Sequence, residues 1–291
     1  MKRPKITVVG SINMDLVTMT DQFPVQGETV RGSEFQTIPG GKGANQAVAA
    51  ARLGADVTMI GCVGDDEFGE QLLSNLKREG INSGNVRRIQ NTSSGLANII
   101  LSEQDNRIII IGGANEHVST DYLDQTKEAI INSDYVLLQF EIPKDTIMYC
   151  IELCHQYDIP LIVNPAPAME LPSEWWKKVT YVTPNETEHA QLFNGEQIES
   201  LIVTKGKGGA EFILDGKKQL MPAYNVKVVD TTGAGDTFNG ALAVRLGEGN
   251  SLPEAVQFAN AAAALSVQKM GAQAGMPTKE EVNRLIEQKL Q

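Results

Sequence analysis

The amino-acid sequence predicts an α/β fold, in which a mainly parallel, doubly wound sheet has helices on both faces and carries a small antiparallel β lid. Short apolar runs alternate with helical patterns along most of the 291 residues. Two groups of strand-like segments have no helix between them, which places them in a separate sheet. At 291 residues and 42% hydrophobic, the chain can bury a large core in one domain, so we expect one domain over residues 1–291, with the lid inserted from about residues 15–38 and 95–111.

The first apolar run, residues 6–9, ends at Gly10 and is typical of a buried parallel strand. It carries Asn13 and Asp15 to the carboxyl end of the sheet, where ligands bind in open α/β folds. Lid strands are predicted at 16–20, 28–31 and 35–38, and we assign at least one of the runs 96–101 and 107–111 to the same small sheet.

Strands and helices alternate in the remainder of the chain, where glycines and capping boxes mark the helix ends. Helices are predicted at 44–53, 68–79, 122–131 and 144–157. A short helix is predicted after Pro184 and another helix after the Asp230 loop, and two more helices start at the capping boxes 251–254 and 278–281. Main strands are predicted at 57–62, 86–89, 135–139, 161–163, 181–183 and 201–204, followed by a hairpin from 210–214 to about 219.

Composition limits the partners and the location of the protein. A formal net charge of -11 argues against nucleic acid or an anionic membrane surface, because both favour a basic protein face. No apolar run approaches the ~18 residues that a membrane span needs, and the run after the basic N-terminus is too short for a signal peptide. We therefore expect a cytoplasmic protein.

Its three cysteines are expected to be reduced, and the Cys150, Cys154 and His155 group falls in a helical pattern that favours core packing over a metal site.

A glycine-rich segment precedes a helical pattern at Asp230-Thr-Thr-Gly-Ala-Gly-Asp236. Gly233 and Gly235 allow a tight turn with free N–H groups, and the positive end of the helix dipole adds to their attraction for an anion. A carboxylate at Asp236 would repel a phosphate unless it accepts a proton, which suits phosphoryl transfer to a hydroxyl group. Taken alone, the segment is explained equally well by a turn followed by a helix-capping aspartate.

A second glycine-rich helix start lies at residues 40–45, where Lys42 adds a positive charge. Two such sites suggest two substrates, although close packing of helix on strand would also explain the glycines. The segment is not a Walker loop, because Gln36 and Gly43 occupy positions that require Gly and Ser or Thr. The segment 10–15 lacks the further glycines of a dinucleotide-binding fingerprint.

Several long motifs in this order make the sequence similar to the ribokinase family of PfkB-type carbohydrate kinases, over nearly the whole chain. The motifs are Gly10-Ser-Ile-Asn-Met-Asp15, residues 24–30, Gly40-Gly-Lys-Gly-Ala-Asn-Gln46, Asn164-Pro-Ala-Pro-Ala168, Pro184-Asn-Glu-Thr-Glu188, Asp230-Thr-Thr-Gly-Ala-Gly-Asp-Thr-Phe238 and Gly271-Ala-Gln273. The resemblance implies an ATP-dependent kinase that phosphorylates the 5-hydroxyl of D-ribose, with Asp236 as general base.

The resemblance also implies a role for each matching residue. The anion hole is assigned to Gly233, Ala234 and Gly235, and the sugar site to Asn13, Asp15, Gly41, Lys42, Asn45, Glu141 and Asp236. The ATP site is assigned to Asn185, Thr204, Lys205, Gly206, Lys207, Gly208, Gly209, Gly235 and Asn260. Glu188 is expected to hold Mg²⁺ through water, and K⁺ is expected at Asp230, Thr232, Ser266, Lys269, Gly271 and Gly275. Related chains tend to carry Ser at the position of Gly275, so one potassium ligand is expected to be missing.

The resemblance further implies a homodimer that pairs through the β lid, and activation by K⁺ over Na⁺. The segment between Asn185 and Thr204 is shorter than is usual in the family, although it retains the ~10 to 12 residues that a parallel crossover needs.

Two alternatives stay open from the sequence. One is a kinase of the same family for 2-deoxyribose, fructose, a ketodeoxy sugar acid or a nucleoside, and the other is a sugar-binding regulator without catalytic activity.

Overall fold

The computed structural model describes residues 3–102, 105–196 and 198–289. Its strands are β1 (Lys5–Val9), β2 (Asn13–Thr20), β3 (Gly32–Gly40), β4 (Asp56–Gly64), β5 (Asn82–Ile89), β6 (Gly95–Ser102), β7 (Asp105–Ile111), β8 (Tyr135–Gln139), β9 (Leu161–Asn164), β10 (Tyr181–Val182), β11 (Ile202–Thr204), β12 (Ala210–Leu214) and β13 (Lys217–Met221). Its helices are α1 (Lys42–Arg52), α2 (Glu67–Arg78), α3 (Thr120–Gln125), α4 (Lys127–Ile131), α5 (Lys144–Gln156), α6 (Ser173–Trp176), α7 (Glu186–Phe193), α8 (Ala234–Gly247), α9 (Leu252–Ser266) and α10 (Lys279–Lys289).

The central sheet is parallel, with the strand order β10-β9-β8-β1-β4-β5. Adjacent residues of β1 point to opposite faces, so Val8 joins one buried cluster with residues of α1, α8 and α9, and Val9 joins a second with residues of α5. Helices therefore cover both faces, which confirms the doubly wound prediction. Cys62, Cys150 and Cys154 are free and buried within this core, which agrees with the core packing predicted for Cys150 and Cys154.

The lid is a separate sheet with the order β3-β2-β6-β7. Both runs 96–101 and 107–111 belong to it, but β2 and β6 pair in parallel, whereas an antiparallel lid was predicted. The parallel pair arises because β2 and β6 follow β1 and β5, two parallel strands of the central sheet, and leave its carboxyl edge in the same direction. The strand predicted at 28–31 is absent. A turn at 26–27 precedes this stretch, where Gly27 has a φ of 83° and the Glu28 carboxylate accepts from the Val25 N–H, and residues 28–31 have no regular secondary structure.

The predicted helix at 122–131 is two short helices, α3 and α4, which meet at Thr126. Thr126 has a φ of -107°, and its hydroxyl donates to the carbonyl groups of Tyr122 and Leu123, which competes with continued helical bonding. The helix α6 was not predicted from the sequence.

The segment after β10 is short but completes a crossover through α7. Isolated parallel bridges join Val182 to Leu201 and Asn185 to Thr204, so the antiparallel sheet β11-β12-β13 continues from the edge of the central sheet. The predicted strand at 201–204 and the hairpin after it are confirmed. Among the residues that the structure describes, no helix has the length and apolar character needed to cross a membrane.

Candidate active site

Asp236 lies in the first turn of α8, at the carboxyl end of the central sheet. The helix begins after Gly233, whose φ of 76° and contact with Ala272 leave no room for a side chain. Only 8% of Asp236 is exposed, and its two carboxylate oxygens accept hydrogen bonds from Asn45 Nδ2 at 3.0 Å and Gln46 Nε2 at 3.1 Å. The carboxylate is thus buried and held by two amides of α1.

The surroundings of Asp236 act on its pKa in opposite directions. Burial raises the pKa above its ordinary value, and the charge of Glu141 adds to the rise. Lys42 and the amides of Asn45 and Gln46 oppose it, because they favour the ionised form. A carboxylate that is held in place and made more basic by burial is well suited to accept a proton from a hydroxyl group.

Lys42 opens helix α1 and lies within a cluster of acidic side chains. Its Nζ is 3.9 Å from Glu141 Oε1, and Glu141 Oε2 accepts from the Lys42 N–H at 3.2 Å and from Ser11 Oγ at 2.5 Å. Burial lowers the pKa of Lys42, but the charges of Asp236, Glu141, Glu188 and Asp15 outweigh it, so the pKa is raised. Lys42 is therefore a charged group that faces both the predicted sugar residues and Asp236.

Asp15 and Asn13 lie at the base of the lid, on β2. Burial, together with the charges of Glu141 and Asp236, raises the pKa of Asp15 to about 7, although Lys42 opposes the shift. Asn13 is buried, and its Oδ1 accepts from Asn115 Nδ2 at 2.6 Å, which directs its own Nδ2 group elsewhere. Asn115 was not predicted from the sequence.

Two glycines keep this region open for the polar side chains. A Cβ at Gly95 would lie 2.2 Å from both Asn115 Nδ2 and Asn13 Oδ1, and a Cβ at Gly40 would lie 2.4 Å from Asp15 Oδ2. Gly41 has a φ of 86°, which favours glycine, and precedes the first turn of α1. A Cβ at Gly41 would lie 2.7 Å from the Asn13 backbone nitrogen, so the close packing that the sequence offered as one explanation of the glycines at 40–41 is present, and their role in a polar site stays a prediction.

A cavity of about 700 Å³ lies beside the start of α8, within the size range of small-molecule sites. It includes Thr204, Gly206, Lys207, Gly209, Gly235 and Asn260 from the predicted ATP site. Ala234, which the sequence assigned to the anion hole, also lines it. Residues without a predicted role complete its wall: Ala223, Tyr224, Asn225, Val226, Val228, Thr231, Phe238, Ala263, Ala264 and Val267. The lining is largely apolar, and Ala234 and Gly235 connect it to the helix start that carries Asp236.

Some residues predicted for ATP have other contacts in the structure. Lys205 and Gly208 do not line the cavity; Lys205 Nζ pairs with Glu211 Oε2 at 2.7 Å, and the Gly208 N–H closes the turn on the Lys205 carbonyl at 2.8 Å. Asn185 and Glu188 form the capping box of α7, with two reciprocal hydrogen bonds of 2.8 Å. Burial raises the pKa of Glu188, while the Asn185 N–H and Lys42 lower it.

Several of the residues predicted for potassium are in contact in the structure. Asp230 accepts from the Thr232 N–H at 2.9 Å, from its hydroxyl at 2.7 Å, and from the Gly271 N–H at 2.8 Å. A Cβ at Gly275 would lie 1.9 Å from the Ser266 carbonyl oxygen, so Gly275 and Ser266 are neighbours. Among the described residues, no cluster of three or more His, Cys, Asp or Glu side chains could hold a metal. Of the three N–H groups predicted for the anion hole, that of Ala234 donates to the Thr231 carbonyl at 3.2 Å.

Comparison with known proteins agrees with this architecture. The chain matches the family described as pfkB family carbohydrate kinase over residues 3–279. It is 48% identical over 289 residues to ribokinase of Bacillus subtilis (strain 168), covering 97% of this chain and 99% of that protein. It is 46% identical over 293 residues to ribokinase of Lactococcus lactis subsp. lactis (strain IL1403), covering 98% and 97% of the two chains.

A solved structure provides the same comparison in three dimensions. The fold matches that of Arabidopsis thaliana ribokinase complexed with ribose and ATP, with a TM-score of 0.89 and 33% sequence identity, over 98% of this chain and 99% of that chain. The chain therefore belongs to the pfkB family of carbohydrate kinases.

Proposed function

We propose that the protein transfers the γ-phosphoryl group of ATP to the 5-hydroxyl of D-ribose. The observation that carries this proposal is the position of Asp236, between the cavity at the start of α8 and the polar cluster of Asp15, Lys42 and Glu141. The relatives named ribokinase, and the solved relative complexed with ribose and ATP, support ribose as the acceptor.

Ribose is bound by groups that can pair with its hydroxyls. Carboxylates accept from hydroxyl groups, whereas amides and the Lys42 ammonium donate to hydroxyl oxygens. The proposed sugar contacts are Asn13, Asp15, Lys42, Asn45 and Glu141, with Gly41 contributing backbone groups. Because these groups are buried or partly buried, a sugar that lacks one hydroxyl leaves a partner unsatisfied and binds less well.

Asp236 removes the proton of the 5-hydroxyl as the oxygen attacks the γ-phosphorus, and the bond from that phosphorus to the bridging oxygen of ADP breaks. The N–H groups at the start of α8 donate to the phosphoryl oxygens, principally those of Gly233 and Gly235, since that of Ala234 already donates to the Thr231 carbonyl. The helix dipole favours the negative charge of these oxygens. In the cavity, Val226, Val228 and Ala263 provide apolar contacts for the adenine ring, and Lys207 provides a positive charge near the phosphates.

Mg²⁺ and K⁺ complete the proposal, since both are hard cations that bind oxygen. Glu188 supplies a carboxylate for Mg²⁺ through water. Asp230 and Thr232, with the carbonyl groups of Ser266, Lys269 and Gly271, supply an oxygen-rich site for K⁺ beside Gly275, where the side-chain ligand is missing. The bound cations would add positive charge beside the phosphates. We expect higher turnover in K⁺ than in Na⁺ at equal ionic strength, and equal rates in the two salts would contradict the potassium site.

The proposed assembly is a homodimer that pairs through the lid, and the proposed location is the cytoplasm. Exposed isoleucines on β7 support the first, because an edge strand with apolar side chains is usually covered by a partner. Free, buried cysteines and use of ATP support the second.

Release of ADP in the presence of ribose tests the function directly. Asp236→Asn should lower the turnover by about 10²–10⁴-fold, since it removes the proton acceptor, while calorimetry should still detect ribose binding. The matched control is Asp145→Asn, which alters an exposed aspartate in the first turn of α5 and should retain turnover.

The same assay separates the alternatives. ADP release with 2-deoxyribose, fructose or a nucleoside but not with ribose would show that the protein phosphorylates a different acceptor by the same reaction. Ribose binding without ADP release for any acceptor would indicate a regulator rather than a kinase. Normal turnover of Asp236→Asn would remove Asp236 from the mechanism.

A further inference from the structure

A line of polar side chains runs from the surface of α2 to Asp236. Arg78 donates to Asn75 Oδ1, Asn75 Nδ2 donates to Gln273 Oε1 at 2.9 Å, and Gln273 Nε2 donates to Asn45 Oδ1 at 3.0 Å. Asn45 Nδ2 then donates to Asp236 Oδ2 at 3.0 Å. We call Arg78, Asn75, Gln273 and Asn45 the amide chain. Every hydrogen bond in it points towards the carboxylate.

The direction of the amide chain is fixed at both ends. A guanidinium group only donates hydrogen bonds, and an ionised carboxylate only accepts them. If one amide in the chain were reversed, an N–H group would face an N–H group or two oxygens would face each other. Asn75 is 4% exposed, and Gln273 and Asn45 are 6% exposed, so water cannot readily replace a lost partner. A single arrangement therefore satisfies the whole chain.

Gln273 is also held by its backbone. Its carbonyl oxygen accepts from Arg52, and Arg52 makes two further hydrogen bonds of 2.8 and 2.9 Å to the carboxylate of Glu79. The Gln273 side chain lies between Asn75 of α2 and Asn45 of α1, so it joins two helices that are separate in the fold. These contacts keep Gln273 in reach of Asn45.

We propose that Gln273 and Asn75 are positioning residues, which act through Asn45 to keep its Nδ2 group directed at the carboxylate of the catalytic base. This inference rests on the proposed function, in which Asp236 is that base. A fixed N–H donor favours the ionised form of the carboxylate, which is the form that accepts a proton. The other groups that face Asp236 are Gln46 and Lys42 of α1, Asp15 of β2, and Glu141 after β8.

Asn75→Asp tests the direction of the amide chain without touching Asp236. The new carboxylate keeps its contact with Arg78 but offers only an acceptor to Gln273, so Gln273 must reverse to donate to it. Gln273 Oε1 then faces Asn45, which must reverse in turn and present Oδ1 to Asp236. Asp236 loses an N–H donor, and its pKa rises.

The measurement is the pH dependence of kcat/KM for ribose, whose acid limb reports the base in the free enzyme. We expect the acid limb of Asn75→Asp to move to higher pH by about one unit, with turnover recovering once the pH exceeds the new limb. A defect that only loosened the fold would lower the rate at every pH instead. Gln71→Glu is the matched control, because it adds the same charge one turn earlier on α2 at an exposed position; its acid limb should match that of the wild type.

Two further measurements keep the proposal testable. If Asn75→Asp does not fold, Gln273→Glu offers the same acceptor to Asn45 and should shift the acid limb in the same direction. The ¹³C carboxyl signal of Asp236, assigned with Asp236→Asn, reports the same pKa without turnover, so it tests the amide chain even if ribose is not the acceptor. The proposal is overturned if folded Asn75→Asp and Gln71→Glu have the acid limb and the ¹³C titration of the wild type.

Discussion

Asp15 illustrates how a residue of this site can lower the stability of the unliganded fold and still favour the binding of a sugar. It shares a partly buried region with Glu141 and Asp236, and Lys42 provides the opposing positive charge. In the free protein these carboxylates repel one another, whereas a bound sugar would offer hydroxyl groups for them to accept from. We therefore expect the charge at Asp15 to weaken the unliganded fold and to strengthen ribose binding.

Asp15→Asn should stabilise the free protein at alkaline pH. In the folded state the pKa of Asp15 is raised from 3.8 to about 7, so the folded state holds more protons than the unfolded state between these values. The free energy of unfolding of the wild type therefore falls as the pH rises through this window, and it stays reduced above pH 7. Asn does not ionise, so Asp15→Asn should escape this loss. The free energy of unfolding of the variant minus that of the wild type should be roughly 2–4 kcal/mol larger at pH 8 than at pH 4.

Urea unfolding at both pH values measures this effect. Asp21→Asn, at an exposed position just beyond β2, is the control and should follow the wild type. Calorimetry should show weaker ribose binding by Asp15→Asn. The same loss of stability between pH 4 and pH 8 in wild type and Asp15→Asn would show that Asp15 does not carry the repulsion.

The sequence predicted the charged residues of the site better than the amides that hold them. Lys42 and Asp236 stand next to glycines, and Asp15 follows a buried strand, in motifs whose chemistry can be argued from the chain alone. Asn115 and Gln273 act through partners that are 102 and 228 residues away, Asn13 and Asn45 respectively. No local spacing records such a pair, so the network of amides around Asp236 became visible only in the folded chain.

The same limit applies to the secondary-structure elements. Apolar periodicity predicted β8 and its neighbours, because their side chains are buried on both faces of the sheet. It could not predict the loop at 222–233, which supplies much of the cavity wall without a helix or a strand. Nor could it predict the break at Thr126, where a side-chain hydroxyl competes for helical carbonyl groups.

The turn at Gly275 leads to a prediction at the scale of the element. The sequence suggested that a Ser at this position would add a potassium ligand. In this chain a Cβ there would approach the Ser266 carbonyl oxygen to 1.9 Å, so Gly275→Ser must displace a carbonyl group that is itself a proposed ligand. We expect a loss of stability of about 1–3 kcal/mol and a higher K⁺ concentration for half-maximal activation.

Titration of turnover with KCl and thermal unfolding together measure this change. Ala274→Ser is the control, since it adds a hydroxyl group to the adjacent, exposed position. Stronger activation of Gly275→Ser by K⁺ would contradict the prediction and would support the missing-ligand interpretation of the sequence.

At the scale of the whole molecule, the two faces of the lid serve different purposes. Asp15, Ala97 and Ile110 are paired across β2, β6 and β7, so Ile110 shares the face of the proposed sugar ligand. Ile109 points to the opposite face, as does Phe35, which pairs with Thr18. Both faces of β7 are exposed in the single chain, at 61% for Ile109 and 53% for Ile110. One face is therefore available to close over ribose and the other to meet a second lid.

This arrangement predicts that two neighbouring substitutions of similar exposure have different effects. Ile109→Lys places a charge on the face that would be buried between two lids. Light scattering should therefore give the mass of one chain for the variant and the mass of two chains for the wild type. Ile110→Lys places the same charge on the face towards Asp15, so it should keep the dimer and raise the KM for ribose. A monomeric wild type would contradict the dimer. A monomer produced by Ile110→Lys, with a dimer retained by Ile109→Lys, would show that the lids pair through the sugar-facing side instead.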